Sequence, residues 1–210
     1  MIQGSPEWFE ARRGFVGASA INDVMATTKS GGEAATRRNL RARIIAERLT
    51  GICAESFTSS AMQWGIDNEP IARAMYEIQS GNDVEQVGFI LHHEIKMTGA
   101  SPDGLINDDG LIEIKCPNTA THIDYLLAGV PPAEYHNQML WQMECTGRKW
   151  CDFASFDSRM PDDMKLFIVR FHRDEERIKE LRKCVNKFLE EVNEVLEKLQ
   201  AYRQSKKETA

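Results

Sequence analysis

The chain has no apolar run long enough to span a membrane and no charged-then-apolar leader at its N-terminus, so a soluble intracellular protein is expected. It also lacks any Cys-x-x-Cys spacing, and its five cysteines are an odd number. Disulfide frameworks use paired cysteines and zinc sites use clustered ones, so neither is expected, whereas reduced cytosolic thiols are. No stretch rich in Pro, Gly and Ser divides the 210 residues, and there is no internal repeat or low-complexity segment. The expectation is therefore one domain over residues 1–210, long enough for a real core. Basic charge is in short supply, with a formal net charge of −6. That argues against a general coating of nucleic acid but leaves room for a local basic groove.

What is present centres on Ser101-Pro-Asp-Gly-Leu-Ile-Asn-Asp-Asp-Gly-Leu-Ile-Glu-Ile-Lys-Cys116. Read as a strand, Leu111 to Lys115 puts Ile112 and Ile114 on one face and Glu113 and Lys115 on the other, with the carboxylate and ammonium roughly 7 Å apart along the strand. Asn107-Asp-Asp-Gly110 has the composition of a hairpin turn, which doubles the chain back and brings Asp103 beside Glu113. Two carboxylates and a lysine then converge at one sheet edge. Paired carboxylates cradle a hard divalent cation such as Mg²⁺, and a lysine beside them can activate a metal-associated water or stabilise negative charge.

The rest of the chain reads as follows. Ser5-Pro6 caps a helix that runs through Arg12 and Arg13 to Gly14. A short helix starts at Ala18-Ser19, a loop spans 27–35, and a helix covers 36–49 with Gly51 as its stop. Residues 1–50 hold eight Lys/Arg against five Asp/Glu. Arg37, Arg38, Arg41 and Arg43 crowd that last helix, either as a solvated face or as a phosphate-contacting surface. Residues 59–79 are helical, with Pro70 as a kink or restart and Gly81 as the end. Val84–His93 and Ile95–Ala100 read as strands forming an antiparallel meander with 111–115, and His92 and His93 would point to opposite faces. Thr119 or Thr121 caps a helix ending near Gly129. A further helix, 131–143, puts Gln138 and Gln142 on one face, with Tyr135 one turn earlier. Strands follow at 150–156 and 166–172, then a long amphipathic helix at about 174–202 and a frayed tail from Ser205. The fold class is α+β (mixed α/β).

Taken together, Ser101 to Leu105 and Leu111 to Pro117 resemble the metal motif of the PD-(D/E)xK nuclease superfamily. More narrowly, they are similar to the YqaJ-type viral recombinase family, which includes phage lambda exonuclease. Five segments stand in that family's order: Trp8–Ser19, Trp64–Glu69, Ser101–Leu105, Leu111–Pro117 and Tyr135–Gln142. The resemblance implies a restriction-endonuclease-like core, a central mixed sheet flanked by helices. It implies a 5′ to 3′ exonuclease on linear double-stranded DNA that leaves a 3′ single strand for recombination. The implied cofactor is Mg²⁺, two ions, with Mn²⁺ able to substitute. Asp103, Glu113 and the backbone carbonyl of Ile114 are its implied ligands, and Glu69 joins through water or the second shell. Lys115 is the implied catalytic lysine and Gln138 the organising glutamine, with Gln142 the weaker candidate.

On the same resemblance Arg12 is the principal 5′-phosphate ligand, Ser19 a second, and Ser101 adds a hydroxyl. Lys29 fits a DNA-contacting arginine, and Met62 is an apolar wedge that splits the terminal base pair. Two positions depart from the pattern: Gly17 stands where lambda exonuclease has a threonine, and Thr121 where it has an arginine. The implied partners are a single-strand annealing protein and two further copies of the chain in a homotrimeric ring. The implied location is the cytoplasm of a bacterial host of a phage or prophage. Two other readings are a restriction- or repair-like endonuclease of the same superfamily and a non-enzymatic DNA-binding module.

Overall fold

A computed structural model of the protein describes residues 2–54 and 58–208. Helix α1 (Pro6–Arg12) begins where the Ser5 hydroxyl accepts from the Trp8 amide, with proline in the first turn where its missing N–H costs nothing. A two-residue strand β1 (Val16–Gly17), a 3₁₀ turn (Ala18–Ala20) and α2 (Ile21–Met25) follow. Helices α3 (Ala35–Thr50) and α4 (Ser60–Ser80) both end on glycines, Gly51 and Gly81, at φ of 70° and 71°. Pro70 does not break α4. It lies on the exposed side, where water can replace the missing hydrogen bond.

The strands are β2 (Val84–Glu85), β3 (Ile90–Leu91), β4 (Thr98–Ala100), β5 (Gly104–Ile106), β6 (Gly110–Lys115), β7 (Trp150–Phe156) and β8 (Leu166–His172). Helices α5 (Thr119–Ala128) and α6 (Ala133–Thr146) connect β6 to β7, and α7 (Glu175–Glu208) closes the described chain. A five-stranded mixed sheet runs β2-β5-β6-β7-β8, parallel at β6–β7 and antiparallel elsewhere. The parallel pair follows from the helical crossover, since parallel neighbours cannot be joined by a tight turn.

Several expectations are corrected. The single meander over 84–115 does not form. Val84–His93 divides into two short strands that join different sheets, β3 pairing with β4 and β4 in turn with β1. The chain changes sheets around Phe89, whose ring packs edge-on against Phe15 at 5.6 Å. His92 follows the end of β3, so strand alternation no longer applies, and its ring stacks on His93 at 4.7 Å. Asn118, not a threonine, caps α5 by accepting from the Thr121 amide at 3.0 Å, as suits the better capping side chain. Arg37 and Arg41 bind Glu33 and Glu191, tying α3 to α7 rather than presenting a free phosphate surface. The expected frayed tail is helical to Glu208, and residues 209–210 lie outside the described part.

Alternation along β6 decides what sits on each side of the sheet. Ile112 and Ile114 pack with Ala72 and Tyr76 of α4 and with Ala154 and Phe156 of β7. Leu111 packs the other way, with Cys151 and Phe153, Met139, Leu140 and Met143 of α6, and the α7 stripe Ile178, Leu181, Val185, Phe188 and Val192. Each Val, Leu, Ile, Phe or Met among them contributes about 1.5–3 kcal/mol on burial. The α7 stripe continues through the partly buried Val195 and Leu196, and Leu199 beyond it is exposed. Glu113 lies on the Leu111 side at 1 % exposure. A carboxylate that deep costs several kcal/mol unless it is hydrogen-bonded and charge-compensated.

Candidate active site

The β5–β6 hairpin turns through Asn107 at φ 46°, and its register sets Gly104 opposite Ile112. Asp103 is thereby carried to the end of β6, where its Oδ2 accepts from the Ile114 amide at 2.6 Å. This is the end of a central strand rather than the expected lateral edge, because β6 lies between β5 and β7. The Lys115 ammonium curls back to donate to Glu113 Oε1. It also sits 5.0 Å from the centre of the Tyr135 ring. Two amides from α6 complete the grip on Glu113. Gln138 Nε2 donates to Oε1 at 2.5 Å and Gln142 Nε2 to Oε2 at 2.6 Å. The 3.6-residue helical period places both glutamines on one face, as the spacing implied. Gln142 is fully buried, and its carbonyl Oε1 has no hydrogen-bond partner.

These charges crowd one another. Burial, and then the charge of Glu113, raise the Asp103 carboxyl well above the ordinary aspartate value, against the opposing pull of Lys115. Burial raises Glu69 too, against Arg73, with Glu113 adding to the rise. Burial works against the Lys115 ammonium, yet Glu113 and Asp103 together hold its pKa above the ordinary lysine value. Glu69 Oε1 accepts from Arg73 at 2.5 Å. Among the described residues, no three His, Cys, Asp or Glu side chains gather as a closed metal-binding group.

The donor set nonetheless fits a hard divalent ion. Asp103 and Glu113 offer only oxygen, and the electrostatic strain between them and Glu69 is of the sign that a cation relieves. With Glu69 held by Arg73, an ion on Asp103 and Glu113 would reach Glu69 through water.

Beside this cluster is a cavity of about 170 Å³ lined by Trp8, Arg12, Gly17, Ser19, Arg43 and Glu47, among others. The Arg12 guanidinium lies 3.9 Å from the centre of the Trp8 ring. Burial, then the neighbouring charge of Arg43, draw its pKa down to about 10. A side chain at Gly17 would place its Cβ 3.1 Å from Arg12 Nη2, so the glycine leaves Arg12 the space it occupies. Ser101 Oγ accepts from the Trp8 indole at 3.0 Å. Ser19 is exposed at the cavity wall. Lys29 is exposed in the loop after α2, and Thr121 is half-buried in the first turn of α5. Met62 is 53 % exposed near the start of α4, which rules out a core role. Trp8 and Arg73 were missed as individual site residues, and of these only Trp8 carried a signal, as part of the Trp8–Ser19 segment. Arg43, read in the sequence as one of four arginines on a solvated or phosphate-contacting face, lines the Arg12 cavity.

The model of the YqaJ-like viral recombinase domain family matches residues 7–149. The chain belongs to this family, and it is an enzyme of the nuclease class. Its structure is similar to that of an alkaline exonuclease from Laribacter hongkongensis. The TM-score is 0.89 at 48 % identity, covering 96 % of this chain and 99 % of that one. The same exonuclease in complex with dAMP matches at TM-score 0.89 and 49 % identity, with the same coverage of 96 % and 99 %. A phage-related exonuclease from Haemophilus somnus 129PT shares the fold, at TM-score 0.68 and 16 % identity over 88 % of this chain and 96 % of that one. Among curated proteins, none matches the chain.

Proposed function

We propose that this nuclease is a Mg²⁺-dependent 5′ to 3′ exonuclease that degrades one strand of linear double-stranded DNA and leaves a 3′ single-stranded overhang. The observation that carries the reading is Glu113, a carboxylate buried at the end of β6 with Lys115 and Asp103 around it and two amides fixing both its oxygens. The exonuclease relatives support the class of reaction.

Asp103, Glu113 and the carbonyl of Ile114 would hold the metal, and Glu69 would contribute through water. The ion, when bound, supplies Lewis-acid charge neutralisation and a more acidic water. Gln138 and Gln142 keep the Glu113 oxygens aimed while the charge of the phosphodiester changes. Lys115 stays protonated beside Glu113 and orients the attacking water or stabilises negative charge on the phosphate oxygens. Arg12 binds the 5′-phosphate through its planar fork, with Ser19 and Ser101 adding hydroxyls and Lys29 touching the duplex. Met62, exposed on α4, wedges at the terminal base step. Its product fits a single-strand annealing partner, and a homotrimeric ring would keep the duplex threaded during digestion.

The test uses linear and circular duplex DNA in Mg²⁺, with end labels to read the products. The expected result is stepwise release from 5′ ends of linear DNA, no cleavage of circles, and no reaction after chelation. Cleavage of circles would turn the reading to an endonuclease.

A further inference from the structure

Trp8 has no part in the reaction derived above, yet it touches both halves of the site. One ring face lies under the Arg12 guanidinium at 3.9 Å. Its Nε1 donates to Ser101 Oγ at 3.0 Å, two residues before Asp103. Gln3 grips the intervening residue, its Nε2 donating to the Pro102 carbonyl at 2.7 Å and to the Val87 carbonyl at 3.2 Å. The far end of the turn is pinned by Asp103 on the Ile114 amide at 2.6 Å. The N-terminal segment thus holds the turn that carries Asp103, and the same indole forms a wall of the cationic cavity.

We propose that Trp8 is a positioning residue that locks the Arg12 anion pocket and the Asp103 turn into one register. A 5′-phosphate held on Arg12 is then set at a fixed distance from the metal-binding carboxylates. The inference rests on the exonuclease reading above. An indole N–H only donates, so Ser101 must be the acceptor in this bond. The Ser101 hydroxyl hydrogen is left free to donate, and a phosphate oxygen is an acceptor. The ring itself is rigid and flat, which suits stacking on a guanidinium plane. With pocket and turn joined in this way, phosphate on Arg12 and metal on Asp103 assist each other, and linkage makes the assistance reciprocal.

The test reads binding without turnover. Mg²⁺ affinity is measured by calorimetry with a 5′-phosphorylated dinucleotide whose internucleotide linkage is a hydrolysis-resistant phosphorothioate, and again with its 5′-hydroxyl counterpart. Wild type should bind Mg²⁺ roughly threefold to tenfold more tightly with the phosphate, the range expected for one hydrogen bond's worth of coupling. Trp8→Phe keeps a stacking ring and loses the N–H. It should lose that enhancement while its Mg²⁺ affinity with the 5′-hydroxyl dinucleotide stays as in wild type. Ser101→Ala breaks the same bond from the other side and also removes the hydroxyl offered to the phosphate. It should lose at least as much of the enhancement as Trp8→Phe, and a full enhancement in it overturns the proposal even if Trp8→Phe folds poorly. The double variant should lose no more than Ser101→Ala alone. The proposal is overturned by a full enhancement in Trp8→Phe, by losses that add in the double variant, or by no enhancement in wild type. Arg12→Ala separates this from the function itself. If it still digests 5′-phosphorylated ends faster than 5′-hydroxyl ends, the pocket reading has failed. If that preference is lost in Arg12→Ala while Trp8→Phe keeps its coupling, only the role of Trp8 falls.

Discussion

Glu113 and Glu144 are both buried carboxylates, 1 % and 3 % exposed, and both contact or belong to α6. Their surroundings differ in kind. Glu144 meets two full cations: Arg173 donates to Oε2 and Arg182 to Oε1 at 2.6 Å. Those arginines outweigh burial and hold its pKa below the ordinary value. Glu113 meets one ammonium and two neutral amides, and it has Asp103 as a second acid close enough to raise that partner's pKa. A buried carboxylate held by a full cation on each oxygen is a structural clamp, here joining α6 to the start of α7. A buried carboxylate short of positive charge, next to another acid, is poised for an ion that the protein chain itself does not provide.

Removing each charge should break this comparison in opposite ways. Glu113→Gln keeps the shape and removes the ligand. Digestion should fall by more than about a hundredfold, beyond what losing an outer-shell partner costs, while the denaturation midpoint holds or rises because crowding is relieved. Glu144→Gln should do the reverse. The two arginines lose their buried partner and keep only the exposed Glu175 and Glu94, and stability should drop by about 2–3 kcal/mol, below the full range for a buried pair because both are partly solvated and partly paired elsewhere. Its rate per folded molecule should be unchanged. Urea melts and end-labelled digestion of the two variants side by side decide it. A Glu144→Gln enzyme that is stable but inactive would erase the distinction.

Gln142→Met sharpens the same contrast from the helix side. The substitution preserves volume but takes the donor from Glu113 Oε2. Rate and Mg²⁺ affinity should each fall about tenfold to a hundredfold, as for an outer-shell partner. A metal affinity equal to that of wild type would show that Lys115 and Gln138 suffice to aim Glu113. Met62→Ala lies outside both carboxylate networks and should cost less, on the order of tenfold on blunt duplex ends and little on frayed ends, because only the former need unstacking. Equal slowing on both substrates would remove the wedge.

Much of this arrangement was legible in the sequence where periodicity and spacing act locally. Ile112, Glu113, Ile114 and Lys115 alternate as a strand must. Ser5, Ser59-flanked α4, Gly51, Gly81 and Asp174 mark helix ends that the structure reproduces within a residue or two. Strands 150–156 and 166–172 are seven residues each and carry enough pattern to be placed. The misses have a common cause, which is that their partners are remote. Strands β1, β2 and β3 hold two residues each, too few to show a period. The β1 partner, Thr98 to Gly99, lies some eighty residues downstream. The face shared by Gln138 and Gln142 follows from helix geometry, but nothing in the spacing says that Glu113 waits across from it. Glu144 drew no reading at all, because Arg173 and Arg182 come from another part of the chain. Trp8 was visible as a motif residue, yet its bond to Ser101 spans ninety-three positions.

The smallest expected effect separates Glu144 by pH. Burial pushes its carboxyl up, but the hydrogen bonds and charges of Arg173 and Arg182 outweigh burial and leave it below the ordinary glutamate value of 4.5. As pH falls, the unfolded chain therefore takes up this proton before the folded one does. The stability that Glu144 supplies is complete above the unfolded pKa and is lost as pH drops through the lower folded value. Urea melts of wild type and Glu144→Gln should thus differ most near neutral pH, and the gap should close progressively below about pH 4.5. Glutamine does not titrate, so the variant's stability curve lacks this portion of the acid limb. A gap that stays constant down to about pH 3 would mean that the arginines are held by packing rather than by the charge of Glu144, and the clamp would have to be described in those terms instead.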